Sequence, residues 1–124
     1  MTLIAVATAA LALLAGATGI KATLTAPTHT PKTGVRWAYT LRVTKDGKAV
    51  SARLTAQIVD PLGTAHPVQY DATKKNITNW PFKGVFRDYV IWPRSSRGIT
   101  LTFRLKITVG QTKKVINYRV TPRA

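Results

Sequence analysis

The sequence predicts an all-β fold: antiparallel sheets packed face to face around a single core. Three observations carry this. In the run VRWAYTLRV, Val35, Trp37, Tyr39, Leu41 and Val43 alternate with Arg36, Ala38, Thr40 and Arg42, the period-two signature of a strand with one face buried and one in water. The run ITLTFRLKITV repeats the pattern, with Leu101, Phe103, Leu105, Ile107 and Val109 on one face and Thr102, Arg104, Lys106 and Thr108 on the other. Turn-forming residues punctuate the chain at Asp46-Gly47, Asp60-Pro61-Leu62-Gly63 and Gly110-Gln111, and no helical periodicity follows Ile20.

Taken in order, residues 1–20 stand apart from the rest. They carry no charged side chain and read MTLIAVATAALALLAGATGI. An Ala/Leu-rich run followed by small residues has the form of a secretory signal peptide, with cleavage after Ala17 or Gly19. The basic segment that usually precedes such a run is missing. The alternative is an uncleaved apolar helix anchoring the protein in a membrane, since about 20 apolar residues just span a bilayer. The chain therefore divides into a signal or anchor at 1–20 and one domain at 21–124, and the location expected is extracellular. Within the domain, Lys21–Ala26 is β-prone and suits an edge strand, and Pro27 and Pro31 mark a kink after it. Val35–Val59 reads as a β-hairpin: its first arm turns at Asp46-Gly47 into a second arm in which Leu54, Ala56 and Ile58 alternate with Arg53, Thr55 and Gln57. Ala65–Tyr70 suits a short strand and the polar stretch Asp71–Asn79 a loop. Lys83–Trp92 is a further strand, and Pro93–Gly98 a loop. Ile99–Val109 and Lys114–Thr121 form the last pair, with Ile116, Tyr118 and Val120 inward.

About seven short strands over roughly a hundred residues, separated by turns, match an immunoglobulin-like (fibronectin III-like) antiparallel β-sandwich. The segments TPKTGVRWAYTLRVTKDGK, AQIVDPLG, FKGVFRDYVIWP and SSRGITLTFRL resemble the immunoglobulin-like domain of small secreted actinobacterial proteins of uncharacterised function. The resemblance runs from about Ala26 to Val109. It implies the sandwich fold and export, and it brings no active-site residue with it.

Composition narrows the chemistry. The chain has no cysteine, so disulfides, thiol catalysis and Cys-based zinc sites are excluded. Lys and Arg total 19 against 4 Asp and no Glu, a net charge of +15, which favours polyanionic partners. The motifs of catalysis are missing. Ser95, His66 and Asp60 supply the residue types of a triad without a nucleophile elbow. His29, His66 and Asp60 supply metal-ligand types without ligand spacing, and no glycine-rich phosphate loop occurs. Asp88, beside Arg87, reads as a neutraliser of nearby arginine. No enzyme activity, cofactor or metal is expected.

The outward residues are more informative. In an immunoglobulin-like arrangement the strands holding Leu54, Phe103 and Tyr118 share a sheet. Its solvent face then carries Arg53, Arg104, Lys106 and Arg119 among threonines, a candidate binding surface for an anionic cell-wall polymer or an envelope protein. Trp80-Pro81-Phe82 and Trp92-Pro93 place aromatics on rigid, proline-containing loops, and Trp80, Phe82 and Trp92 are candidates for stacking on a sugar or base. Nucleic acid is a poor fit because no reader motif is present and the leader points to export. Contact with a membrane is expected only if 1–20 stays attached.

Overall fold

In the computed structural model, which describes residues 19–124, nine β-strands form two antiparallel sheets packed as a sandwich. The expected signal or apolar helix lies outside the described residues except for its last two positions. Sheet 1 contains β1 (Ile20–Thr25), β2 (Arg36–Lys45), β3 (Lys48–Ala49) and β7 (Val85–Ile91), with β2 in the middle. Sheet 2 contains β4 (Ser51–Val59), β5 (Ala65–Pro67), β6 (Trp80–Lys83), β8 (Leu101–Val109) and β9 (Thr112–Val120). There β4 pairs with β5 and β6 on one side and with β8 on the other, and β9 forms the far edge.

The two alternating runs that predict the fold supply its core. Trp37, Tyr39, Leu41 and Val43 of β2 face Leu54 and Ala56 of β4 and Phe103, Leu105 and Ile107 of β8, all buried. Trp37 lies at the centre of an aromatic cluster, edge-on to Trp92 and Phe103 at 5.4 Å each, a geometry that sets a positive ring edge on a negative ring face. Its indole N–H donates to the Thr28 carbonyl at 2.9 Å, so burial leaves no donor unmet there. Val35, read as the first inward residue, is instead 50% exposed, because β2 begins at Arg36 and its burial at Trp37.

The expected hairpin over Val35–Val59 is not one ladder. Asp46 and Gly47 do turn the chain, both at positive φ, but β2 pairs with the return arm only at Thr44–Ala49 and Lys45–Lys48. At Val50 the chain leaves sheet 1, and β4 builds sheet 2. Side by side in one ladder, the two apolar faces would point the same way and both would need cover. Parted at Val50, they cover each other.

A second strand pair makes the same crossing. β6 pairs with β4 in sheet 2, and β7 with β2 in sheet 1, and Gly84 lies between them. Gly84 N–H donates to the Val50 carbonyl at 3.0 Å and its own carbonyl accepts from Val43 N–H at 2.7 Å. The two crossovers are thereby joined at one corner of the sandwich. Trp80–Phe82, read as a loop, is thus strand; Pro81 is tolerated because β6 is an edge strand.

Two irregular segments finish the edges. Ile77, from the loop after β5, is fully buried, and its carbonyl accepts from Ala56 N–H at 3.0 Å, filling β4's ladder between β5 and β6. After the kink at Pro27, the chain crosses to the end of β9, where the His29 carbonyl accepts from Thr121 N–H at 2.8 Å and the Pro31 carbonyl from Arg123 N–H at 2.9 Å. Part of an otherwise open sheet edge is thereby covered.

Candidate functional site

The strands carrying Leu54, Phe103 and Tyr118 do share a sheet, and its register assembles the outward side chains into rows. Arg53, Thr108 and Lys113 form one row across β4, β8 and β9; Thr55, Lys106 and Val115 form the next; Gln57, Arg104 and Asn117 the third; Thr102 and Arg119 close the face. Cross-strand neighbours on one face stand about 5 Å apart at Cβ, and alternate residues along a strand about 6.5–7 Å. Arg53, Arg104, Lys106 and Arg119 therefore share one continuous surface with Lys113. Lys113 was missed because the last strand was expected to begin at Lys114. Counting back from the inward Ile116 in steps of two puts Lys114 on the core side and Lys113 outside, which is the register observed.

Two of the guanidinium groups are held in place. Arg104 Nε donates to Asn117 Oδ1 at 2.9 Å, and Arg53 Nη1 donates to the Asn79 carbonyl at 3.0 Å. Each keeps further N–H donors for a ligand.

All four carboxylates are used elsewhere. Asp46 occupies its turn. Asp60 Oδ1 accepts from the backbone of Leu62 and Thr64, and Oδ2 meets His66 Nε2 at 2.9 Å; the His66 bond, then the Thr64 bond, holds this carboxyl below its ordinary range. Asp71 binds Lys74 Nζ at 2.8 Å and the Tyr89 hydroxyl, and Lys74 first, then Tyr89, lowers it likewise. Asp88 does not neutralise Arg87, because the two point to opposite faces of β7. Asp88 pairs in register with the buried Tyr39, and burial, first among its causes, pushes its carboxyl above the ordinary range. Among the described residues, Lys74 is the one lysine or arginine joined to an Asp side chain. The basic face carries no counter-charge.

The other candidate sites come apart. His29 stacks flat on Tyr118, ring centroids 3.9 Å apart, and its Nδ1 meets the Arg119 carbonyl at 2.6 Å, at the β9 edge. His66 is on β5, at the opposite edge, with β4 and β8 between; three strand spacings amount to about 14 Å. Among the described residues no three His, Cys, Asp or Glu side chains come together to hold a metal. His66 and Asp60 do pair. Ser95 lies in the 3₁₀ turn Arg94–Ser96, which the bond from Gly98 N–H to the Pro122 carbonyl at 2.8 Å fixes beside the end of β9, again across the sheet from His66.

The aromatic set also needs correction. Trp92 is fully buried against Trp37 and has no ring face open to a ligand. Trp80 and Phe82 are half-buried on β6 and packed edge-on against Tyr70 at 5.0 Å and Phe86 at 5.7 Å. Of the three, Phe82 lines a groove of about 550 Å³ with Ser51, Arg53, Pro81, Lys83 and Thr108. No protein-family model matches the chain, and a search of curated proteins returns no match.

Proposed function

We propose that the protein is an exported, non-enzymatic immunoglobulin-like module that binds an anionic cell-envelope polymer on the outer face of sheet 2. The observation that carries this is the five-cation surface of Arg53, Arg104, Lys106, Lys113 and Arg119 with no carboxylate upon it. Like charges on neighbouring strands cost stability, and a polyanion laid across them relieves that repulsion while releasing its own counterions. The pairing order supports the immunoglobulin-like reading. The order β1–β2–β7 in sheet 1 parallels A–B–E, and β5–β4–β8–β9 in sheet 2 parallels C′–C–F–G. The tryptophan at the core centre is on the second strand, not on C as in antibody domains.

Export rests on the apolar leader. Cleavage after Ala17 keeps Gly19, whose carbonyl accepts from Asp46 N–H at 3.0 Å, and leaves β1 whole.

The test is binding to a phosphate-linked wall polymer as a function of salt. At about 0.7 per contact, as for flexible single strands, five contacts give a log–log slope of about −3.5, a loss of roughly a hundredfold between 50 and 200 mM salt. Replacing Arg104 and Arg119 by Gln removes two contacts and flattens the slope to about −2. Salt-independent binding, or a slope unchanged in the double variant, refutes the reading. Capture of an envelope protein instead would make the partner a protein, and no binding at all would leave an accessory domain without a ligand.

A further inference from the structure

The basic face does not end at Arg53. The β4–β8 ladder starts at Arg53–Thr108, so Ser51 and Ala52 extend past it toward the corner where the chain crosses between sheets. A groove of about 550 Å³ opens there, within the range of small-ligand sites. From the groove we infer a subsite for one anionic sugar unit, a sugar phosphate, at the end of the basic face. This rests on the polyanion reading and names the chemistry at one end of it.

Each wall contributes a different property. Arg53 and Lys83 supply positive charge, and among the described residues no Asp side chain lines the groove. The Arg53 guanidinium is already oriented by its bond to the Asn79 carbonyl, so binding an anion there costs little side-chain entropy. Pro81, Ala52 and the part of Phe82 that reaches the groove give an apolar surface, and Phe82 is fixed by its packing on Phe86. An apolar surface beside two cations suits a ligand with a C–H-lined ring face and an acidic group, which is the form of a sugar phosphate. Ser51 and Thr108 add hydroxyls that donate to or accept from sugar hydroxyls. Inorganic phosphate uses only the cations; neutral glucose uses only the ring and hydroxyls.

The probes are glucose 1-phosphate, inorganic phosphate and glucose, titrated into isotope-labelled protein and followed by amide shifts. Glucose 1-phosphate is expected to bind at least about tenfold tighter than either of the others, with shifts centred on Ser51–Arg53, Lys83 and Thr108–Gly110. Ser51→Tyr adds a ring to the groove at an exposed strand position without removing a charge, and abolishes the binding. Lys83→Gln weakens glucose 1-phosphate more than glucose.

Four results overturn the subsite: no binding of glucose 1-phosphate, equal binding of phosphate and glucose 1-phosphate, shifts spread over β8 and β9 instead, or full affinity in Ser51→Tyr. The two readings separate because Arg104→Gln/Arg119→Gln alters polymer binding and leaves glucose 1-phosphate unchanged, whereas Ser51→Tyr does the reverse for the small probe. Loss of polymer binding in the arginine variant, with no glucose 1-phosphate bound by any protein, refutes the groove and keeps the face.

Discussion

Gly84→Ala tests the corner on which both crossovers depend. Gly84 has φ of +74°, and a Cβ built there lies 2.8 Å from Ala49 Cβ. The left-handed conformation costs an alanine about 1–2 kcal/mol. The overlap is added to that. Ala49 belongs to the two-residue strand paired to Lys45 and Thr44, so it cannot withdraw without breaking that ladder, and overpacking of this kind costs about 1–3 kcal/mol. A loss near 3 kcal/mol lowers Tm by about 12–24 °C in a domain of this size. Two controls isolate the parts. Gly98 has φ of +76° with nothing within 4 Å, so Gly98→Ala reports backbone strain alone, about 1–2 kcal/mol. Ala49→Gly in the Gly84→Ala background removes the colliding atom and recovers the overlap share, less about 0.5–1 kcal/mol for glycine in a strand. Denaturant unfolding of the four proteins is the assay. If Gly84→Ala unfolds no more easily than Gly98→Ala, or Ala49→Gly restores nothing, the account of this corner is wrong.

Further outcomes follow from the carboxylates and the core. Asp88, raised by burial, binds its proton more tightly folded than unfolded, so its contribution to stability falls as pH rises from the ordinary carboxylate range through its folded pKa. Its Oδ2 and the Tyr39 hydroxyl are both buried without a hydrogen-bond partner. Asp88→Asn should therefore match the wild type in strong acid and exceed it at neutral pH in urea unfolding; a variant weaker at pH 7 contradicts this. Asp60 and Asp71 behave oppositely: lowered in the folded state, they stabilise above the ordinary carboxylate range and lose that contribution as pH falls through their folded pKa values. Asp60→Asn should flatten this acid limb in a Tm–pH profile, and an unchanged limb contradicts the role of its carboxylate. Leu54→Ala, at a fully buried position, should cost about 2–5 kcal/mol in urea unfolding, and a cost below 1 would mean the sheets do not meet there.

The sequence made the sheets legible where one face is buried and the other wet. Alternation in β2, β4, β8 and β9 identifies their inward residues, and the same alternation places Arg53, Arg104, Lys106 and Arg119 outward. Where alternation weakens, so does the reading. The stretch from Trp80 to Trp92 passes from one sheet to the other at Gly84, so its inward side changes partner in mid-run, and Trp80–Phe82 looked like a loop. Ile77 is one buried residue inside a polar loop and has no periodicity to announce it.

The amino-acid sequence by itself determined that this is a β-protein of one core and which side of each regular strand is apolar, because those depend on residues one and two apart. It also determined the excess of cations over carboxylates. Only the tertiary structure decided that the arms on either side of Asp46-Gly47 belong to different sheets, that Asp88 faces Tyr39 and that Trp92 faces the core. Those outcomes depend on which strands pair, and pairing is set by how two apolar faces far apart in sequence cover each other.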